Sequence, residues 1–300
     1  MTGDIALRDV TLRYGRTIAV DRVTLDLPAG RIYGLSGRNG AGKSSLLALL
    51  AAYLRPTSGT VTVGGVDPFE NAELMQRSCL VRDDPDVTGN TRVGRALALA
   101  AELRRSWDAD YAGRLADTFE LAPRRRVAEL SRGQRSALGA VLGLASRAPL
   151  TMLDEPTLGM DAVTRAALHR ELLTDYLAHP RTIIVATHLI EEAADLFEQV
   201  LVVDLGRLVL HDDTDVLRSA GVAVTGTADA VEGFVAGRAV LDRQELGHTR
   251  RVTLYAHLDE DERATARRAG LTLSPVGLQD LLVHLAGRTT VAVGSREAHR

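Results

Sequence analysis

The residues with the most definite chemical purpose form a short glycine-rich stretch, Gly37-Arg38-Asn39-Gly40-Ala41-Gly42-Lys43-Ser44. Its spacing fits G-x-x-x-x-G-K-[S/T] at every fixed position. Glycines allow consecutive backbone N–H groups to turn toward phosphate oxygens without a Cβ clash. Lys43 is expected to reach the β- and γ-phosphates, and the Ser44 hydroxyl to ligate Mg²⁺. The stretch therefore predicts a site for a nucleoside triphosphate.

The segments on either side of this loop are the ones that such a site requires. Residues 31–35 have the composition of a short buried strand, and residues 44–50, which include Ser45, have that of a helix start. The amino end of a helix offers unpaired N–H donors and a partial positive charge to an anion. The chain has 36 Lys and Arg residues, and Lys43 is the only lysine. Because a compact ammonium and a planar guanidinium are not interchangeable in a closed phosphate cradle, this single lysine strengthens the prediction.

Two adjacent acids follow an apolar run further along the chain. Residues 150–153 predict a buried strand, and Asp154 and Glu155 come directly after it, where open α/β sheets place their ligands. We expect Asp154 to bind Mg²⁺ directly or through water, and Glu155 to orient or deprotonate the attacking water. His188 follows another predicted strand, residues 181–186. It is either a hydrogen-bonded loop histidine or a contact to the γ-phosphate, and its place at a strand end favours the second interpretation.

The order of hydrophobic patterns predicts an α/β fold. Alternating runs at residues 5–14 and 23–27 indicate an N-terminal antiparallel β subdomain. Helical spacing at about 88–147, with Asp108 as a candidate N-cap, indicates a helical insertion subdomain. Strands that alternate with helices then predict a mainly parallel sheet. We predict an ATP-binding domain at residues 1–215 and a small α+β accessory appendage at residues 216–300.

Composition excludes several other classes of protein. In 300 residues, 45% are hydrophobic and 25% are charged, which is ordinary for a soluble globular chain. The net charge of −3 argues against nucleic acid as a partner, since a basic face would be expected. Cys79 is the only cysteine, which is consistent with a reducing compartment. The sequence begins without a signal-like segment and lacks a membrane-length apolar run, so we expect a cytoplasmic protein.

Five motifs occur in a fixed order within residues 4–215: the phosphate loop, L-S-R-G-Q at 130–134, an apolar run ending in Asp-Glu-Pro at 150–156, T-L-G-M-D at 157–161 and A-T-H at 186–188. Together they resemble the motifs of nucleotide-binding subunits of ABC transporters, which have a P-loop NTPase fold. From its position alone, Tyr14 is equally suited to stacking on a purine and to packing on the sheet. The resemblance implies that it stacks on adenine, that Asp161 contributes to the ATP site, and that ATP and Mg²⁺ are the cofactors.

The resemblance also implies how the chain assembles. Ser131, Gly133 and Gln134 would bind the γ-phosphate held by a second nucleotide-binding subunit, in a homodimer or a heterodimer that closes around ATP. The helical insertion would dock on separate transmembrane permease subunits, which would hold the chain at the inner face of the cell membrane. Trp107-Asp108-x-x-Tyr111 resembles the single-domain bacterial subunits of drug or peptide exporters. The implied function is ATP hydrolysis that drives export.

Two residues depart from the pattern of this family. A glutamine that contacts Mg²⁺ and the attacking water is usual after an early core strand, and the corresponding position here is Asp83, with Asp84 as the neighbouring candidate. A carboxylate is still able to ligate the metal, but it adds negative charge near the γ-phosphate. Arg132 replaces a glycine in the signature sequence and adds positive charge there. These substitutions predict an altered rate of hydrolysis or altered coupling.

Two other functions compete with transport. A soluble ABC-type ATPase acting on ribosomes or DNA is disfavoured, because the chain holds one cassette and no heptad run. A regulatory module that binds ATP with weak or no hydrolysis is opposed by Glu155 and His188, whereas Asp83 favours it.

Overall fold

The computed structural model describes residues 3–82 and 87–285, which form two compact units. The first unit is built from the described residues up to His188 together with Val203–Leu208. The second is built from Leu189–Val202 and the described residues from Val209 onward.

The first unit opens with an antiparallel sheet and continues with alternating helices and strands. Its elements are β1 Ile5–Tyr14, β2 Thr17–Leu27, β3 Ile32–Ser36, α1 Lys43–Leu50, β4 Ser58–Val63, α2 Ala72–Gln76, β5 Ser78–Val81, α3 Val93–Leu103, α4 Ala109–Thr118, α5 Arg132–Ala145, β6 Leu150–Asp154, α6 Ala162–Ala178 and β7 Thr182–Thr187. A single 3-10 turn at Val127–Glu129 precedes α5.

The remaining elements begin after His188. They are α7 Ile190–Ala193, β8 Gln199–Asp204, β9 Arg207–Asp213, α8 Thr214–Ala220, β10 Gly221–Thr227, α9 Ala228–Val235, β11 Val240–Leu246, β12 Thr249–Tyr255, α10 Glu260–Arg268 and β13 Thr272–Pro275. A further helix covers residues 278–285.

Strand order in the first unit decides where a ligand site can form. Strands β2, β1 and β4 make an antiparallel sheet in that order, while β5, β6, β7 and β3 are neighbours in a parallel arrangement. Every residue of β3, β6 and β7 is buried, which explains their continuous apolar runs. Parallel order brings the carboxyl ends of β6, β7 and β3 to one edge of the sheet, and the predicted α/β fold is confirmed.

Helix α4 of the helical insertion begins at a side-chain cap. The Asp108 side chain accepts a hydrogen bond from the backbone N–H of Tyr111 at 2.9 Å, so the predicted N-cap of α4 is confirmed. The same hydrogen bond is the largest cause of the lowered pKa of Asp108. Caps of this kind satisfy N–H groups that have no partner within the helix.

The second unit contains an antiparallel sheet of βαββαβ type. Chain order is β10, α9, β11, β12, α10 and β13, and the sheet order is β11-β12-β10-β13. This is the split βαβ arrangement of ferredoxin-like folds. Its core lies under α9 and α10 and is formed by apolar residues of the strands and helices, among them Val224, Val231 and Leu254. The predicted α+β appendage is therefore confirmed as a small sheet with its own core.

No helix among residues 3–82 and 87–285 combines the length and the apolar character that crossing a bilayer requires.

A buried ion-pair network in the first unit joins α6 to the residues just after α5 and just before β7. The Asp175 side chain, only 1% exposed, pairs with Arg147 and with Arg181, the latter at 2.6 Å between Oδ2 and Nη2. Arg147 also reaches Asp108 at 2.9 Å. Removing one member of such a network leaves buried charge without compensation.

We therefore predict that Asp175→Ala lowers the free energy of unfolding by about 3–5 kcal/mol, measured by urea denaturation at neutral pH. Asp26→Ala is the matched control, because Asp26 pairs with Arg8 at 2.6 Å on the surface with both side chains more than half exposed. Its effect should stay within about 1 kcal/mol. Equal losses in the two variants would show that the buried network does not stabilise the first unit.

Candidate active site

The loop between β3 and α1 is closed by backbone contacts that leave no room for a Cβ at Gly37 or at Gly42. A Cβ on Gly37 would lie 2.3 Å from the carbonyl oxygen of Val203, and a Cβ on Gly42 would lie 2.3 Å from that of Ala19. Gly42 also has a φ of +107°, which favours glycine. The N–H of Gly206 donates to Ala41 at 2.9 Å. These contacts hold the phosphate loop, residues 37–44, which forms the cradle for the phosphates. Strand β2 lies on one side of the loop, and the end of β8 with its following turn lies on the other.

Lys43 lies inside this cradle. Its side chain is only 6% exposed, and Nζ donates to the carbonyl oxygen of Gly37 at 2.7 Å. The same Nζ lies 3.6 Å from Oε1 of Glu155. Nζ also donates to the carbonyl oxygen of Arg38 at 3.4 Å. A buried ammonium beside a glycine loop is suited to phosphate oxygens. Ser44 and Ser45 follow in the first turn of α1, where backbone N–H groups have no acceptor within the helix.

Glu155 and His188 meet at the carboxyl edge of the parallel sheet. Glu155 follows β6 with a φ of +49°, and its N–H donates to the carbonyl oxygen of Ala186 in β7 at 2.9 Å. Its Oε2 lies 2.8 Å from Nδ1 of His188. Since an ionised carboxylate only accepts, the imidazole donates through Nδ1. Glu155 thus lies between an ammonium and an imidazole, in a strained conformation that is typical of functional positions.

The side chains present suit a magnesium–nucleotide complex. Asp154 ends β6 and is 5% exposed, while Ser44 is exposed at the start of α1, which packs against β6. Among the described residues, no three or more His, Cys, Asp and Glu side chains gather to hold a metal by themselves. Mg²⁺ at phosphate sites needs only one or two protein ligands because the phosphates supply others. Asp83, the third predicted ligand, lies outside the described residues, as does Asp84.

The predicted signature residues form a second cluster, which is built on different elements. Ser131 caps α5: its Oγ accepts from the N–H of Gln134 at 3.2 Å, and the Gln134 side chain accepts from the N–H of Ser131 at 3.2 Å. The Ser131 hydroxyl keeps its own hydrogen for donation to an anion. The amino end of α5 also carries a partial positive charge. Ser131 is thereby held ready to donate.

Gly133 and Asp161 extend this cluster. A Cβ on Gly133 would lie 2.5 Å from the carbonyl oxygen of Gly159, so the loop before α6 packs directly on α5. Asp161 caps α6 and accepts from the N–H of Thr164 at 2.8 Å, which is the largest cause of its lowered pKa. A cleft of about 520 Å³ lies between these segments, and Ser131, Gly133 and Asp161 line it.

The other predicted site residues lie at the surface. Arg38, Asn39 and Gly40 form the exposed tip of the loop, and Ala41 is buried beneath it. Tyr14 ends β1 with its ring 51% exposed, which leaves a face open for stacking.

Sequence reasoning missed residues that support the site from far along the chain. Arg125 belongs to none of the motifs identified in the sequence, yet its Nη1 donates to Oε1 of Gln134 at 3.2 Å. Gly206 and Val203 close the phosphate loop, although no motif identified in the sequence includes them.

We predict that Gly42→Ala abolishes nucleotide binding, because the new methyl group would collide with the Ala19 carbonyl oxygen at 2.3 Å. The measurement is titration with a fluorescent ATP analogue. Gly65→Ala is the control, since Gly65 has a similar strain at φ +78° but open space around its Cβ. We expect the control to bind normally. Normal binding by Gly42→Ala would refute the closed cradle.

Comparisons with known proteins agree with this geometry. The ABC transporter family model matches residues 20–158. The aliphatic sulfonates import ATP-binding protein SsuB 1 of Mesorhizobium japonicum is 32% identical over 71% of this chain and 80% of its own length. Nod factor export ATP-binding protein I of Burkholderia orbicola is 30% identical over 95% of this chain and 97% of its own length. The fold matches the dimeric post-hydrolysis structure of the ATP-binding cassette MJ0796 bound to ADP and Pi, with a TM-score of 0.62 at 19% identity over 70% of this chain and 98% of that one. The chain therefore belongs to the ATP-binding proteins of ABC transporters, a family of P-loop ATPases.

Proposed function

We propose that this chain hydrolyses ATP to drive export through separate transmembrane permease subunits. The observation that carries the proposal is the position of Glu155, held between His188 at 2.8 Å and Lys43 at 3.6 Å beside the phosphate loop. The arrangement pairs a proton acceptor with the cation that a triphosphate needs.

ATP binding follows from the loop and its neighbours. Backbone N–H groups of the phosphate loop surround the phosphates, Lys43 neutralises the β- and γ-phosphates, and Tyr14 stacks on adenine. Ser44 and Asp154 would hold Mg²⁺, together with Asp83 from outside the described residues. When bound, the metal neutralises charge on the β- and γ-phosphate oxygens.

Glu155 acts as the general base in this proposal. Its carboxylate accepts a proton from the water that attacks the γ-phosphorus, while His188 holds Oε2 in place. The strained backbone turn at φ +49° keeps the side chain next to Lys43. Positioned general bases contribute about 10²–10⁴-fold to a rate.

A second nucleotide-binding subunit completes each site. The Ser131 hydroxyl and the amino end of α5 are donors that the phosphate loop of the same chain does not use, and they line an open cleft. In the proposed dimer, of two identical or two related chains, Ser131, Gly133, Gln134 and Asp161 meet the ATP held by the partner. Closure around ATP and reopening after hydrolysis would supply the two states that drive transport.

The direction and the membrane partner are inferred from alignment and surface. The import protein from Mesorhizobium japonicum aligns with 71% of this chain, whereas the Nod factor export protein aligns with 95% of it. The longer match favours export. We propose an ATP-binding domain at 1–215 followed by an accessory domain at 216–300, since the import protein aligns with only 71% of the chain.

An apolar cleft of about 680 Å³ on the helical insertion is the proposed docking surface for the permease. Leu99 and Leu103 of α3 and Met75 of α2 lie along it with 43%, 70% and 45% of their area exposed. Exposed apolar area of this kind is typical of a protein contact. Docking there would place a cytoplasmic protein on the inner face of the membrane.

We predict that Glu155→Gln lowers steady-state ATP hydrolysis by at least about 100-fold without loss of ATP binding, because glutamine keeps the shape and cannot take the proton. Phosphate release and size-exclusion chromatography in ATP and Mg²⁺ measure the two properties. The variant should dimerise in ATP. Glu102→Gln is the control, since Glu102 forms an exposed pair with Arg95 on α3.

Two outcomes would contradict the proposal. Full activity in Glu155→Gln would exclude Glu155 as the base. Tight ATP binding by the wild type, without hydrolysis or dimerisation, would identify a regulatory module.

We predict that Leu103→Asp releases the protein from the membrane fraction of its own cells, because a charge in an apolar cleft opposes docking. Leu177→Asp is the matched control, as both leucines are 70% exposed and Leu177 lies on α6 outside the cleft. Hydrolysis by both purified variants should remain within about twofold of wild type, since single surface changes have small effects. Retention of Leu103→Asp in the membrane fraction would place the docking surface elsewhere.

A further inference from the structure

The segment that follows His188 belongs to the second unit. His188 is the last residue of the continuous part of the first unit, and Leu189–Val202 are grouped with the second. Within that unit, the carbonyl oxygen of Glu198 accepts from the N–H of Thr214 at 3.0 Å. The backbone on the carboxyl side of the histidine is therefore held by contacts of the second unit.

Glu191 of α7 links this segment to a distant part of the second unit. Its Oε2 accepts a hydrogen bond from the backbone N–H of Gln279 at 2.9 Å. Gly277, immediately before the helix over residues 278–285, has no side chain with which to cap it. A Cβ on Gly277 would lie 3.5 Å from the same Glu191 oxygen. Glu191 thus supplies from a distant part of the chain the N-cap that the helix lacks.

Helix 278–285 is in turn anchored to the βαββαβ sheet. Leu281 and Leu282 are 0% and 4% exposed, and a Cβ on Gly221 of β10 would meet a Leu281 methyl group at 3.4 Å. The N–H of Val276 donates to the carbonyl oxygen of Gly221 at 3.1 Å. A continuous path of contacts therefore runs from the sheet, through this helix, to Glu191.

We propose that Glu191 is a positioning residue for hydrolysis, through which the second unit sets the placement of His188. The proposal rests on the function proposed above, in which His188 orients Glu155. Only Leu189 and Ile190 separate the histidine from the capping glutamate. Loss of the cap frees α7 from helix 278–285, and His188 then departs from its 2.8 Å contact with Glu155. The appendage is thereby a control element for the ATPase rather than an inert extension.

The primary test compares Glu191→Ala with Glu191→Gln in the full-length chain. Alanine removes the acceptor, and we expect kcat to fall by about tenfold, since small misplacements of catalytic groups are costly. KM for ATP should be unchanged, because the phosphate loop and Tyr14 do not involve Glu191. Glutamine retains an acceptor oxygen and should restore most of the rate. Asp195→Ala is the matched control on the same segment, since Asp195 is 91% exposed and pairs only with Arg218 among the described residues.

A second variant separates positioning from stability. Gly277→Ser gives helix 278–285 a cap of its own, so Glu191→Ala/Gly277→Ser should recover the melting temperature lost in Glu191→Ala. We expect kcat of this double variant to stay low, because the link to α7 is still absent. Recovery of kcat together with the melting temperature would assign Glu191 a purely structural role and overturn the proposal.

A double-mutant cycle with His188→Ala tests whether Glu191 influences kcat through His188. If Glu191 acts through His188, Glu191→Ala lowers kcat of the wild type but not that of the His188→Ala background. Additive losses would overturn the proposal, as would a wild-type rate in Glu191→Ala. The absence of any hydrolysis by wild-type protein would instead refute the proposed ATPase function on which the inference rests.

Discussion

The buried ammonium of Lys43 is the constraint on which the rest of the first unit depends. A charge at 6% exposure needs acceptors, and the chain supplies the Gly37 carbonyl oxygen at 2.7 Å and Glu155 at 3.6 Å. The loop achieves this closure only because Gly37 and Gly42 have no Cβ to meet the backbone of Val203 and Ala19. Strand β3, helix α1 and the turn at Val203–Leu208 therefore act as one frame around a single lysine.

Parallel strand order then determines which side chains face that lysine. Because β6, β7 and β3 are neighbours, the residues that follow them arrive at one edge of the sheet. Glu155 comes from the first of these strands and His188 from the second, and the hydrogen bond between them joins the two strand ends. The strained turn at Glu155 is stabilised by its N–H bond to Ala186. Backbone topology and one hydrogen bond together hold the Glu155 carboxylate where the proposed proton transfer requires it.

Local patterns in the sequence were sufficient to predict the features that depend on near neighbours. The glycine loop, the Asp108 cap and the buried run into Asp154 are determined by residues close in the chain, and each lies where it was expected. Contacts between separate segments could not be predicted from local sequence patterns. Examples are the contacts of Arg125 with Gln134, of Val203 with Gly37 and of Glu191 with Gln279. The roles of the site residues stay predictions, and Asp83 lies outside the described residues.

In the proposed dimer, the phosphate loop of one chain and the signature cluster of the other bind one ATP from opposite sides. A crystal structure of Glu155→Gln with ATP and Mg²⁺ tests this most directly. We expect each triphosphate to lie within hydrogen-bonding distance of Lys43 from one chain and of Ser131 from the other. A triphosphate bound away from Lys43, or bound at Lys43 in a monomer with Ser131 open to solvent, would contradict it.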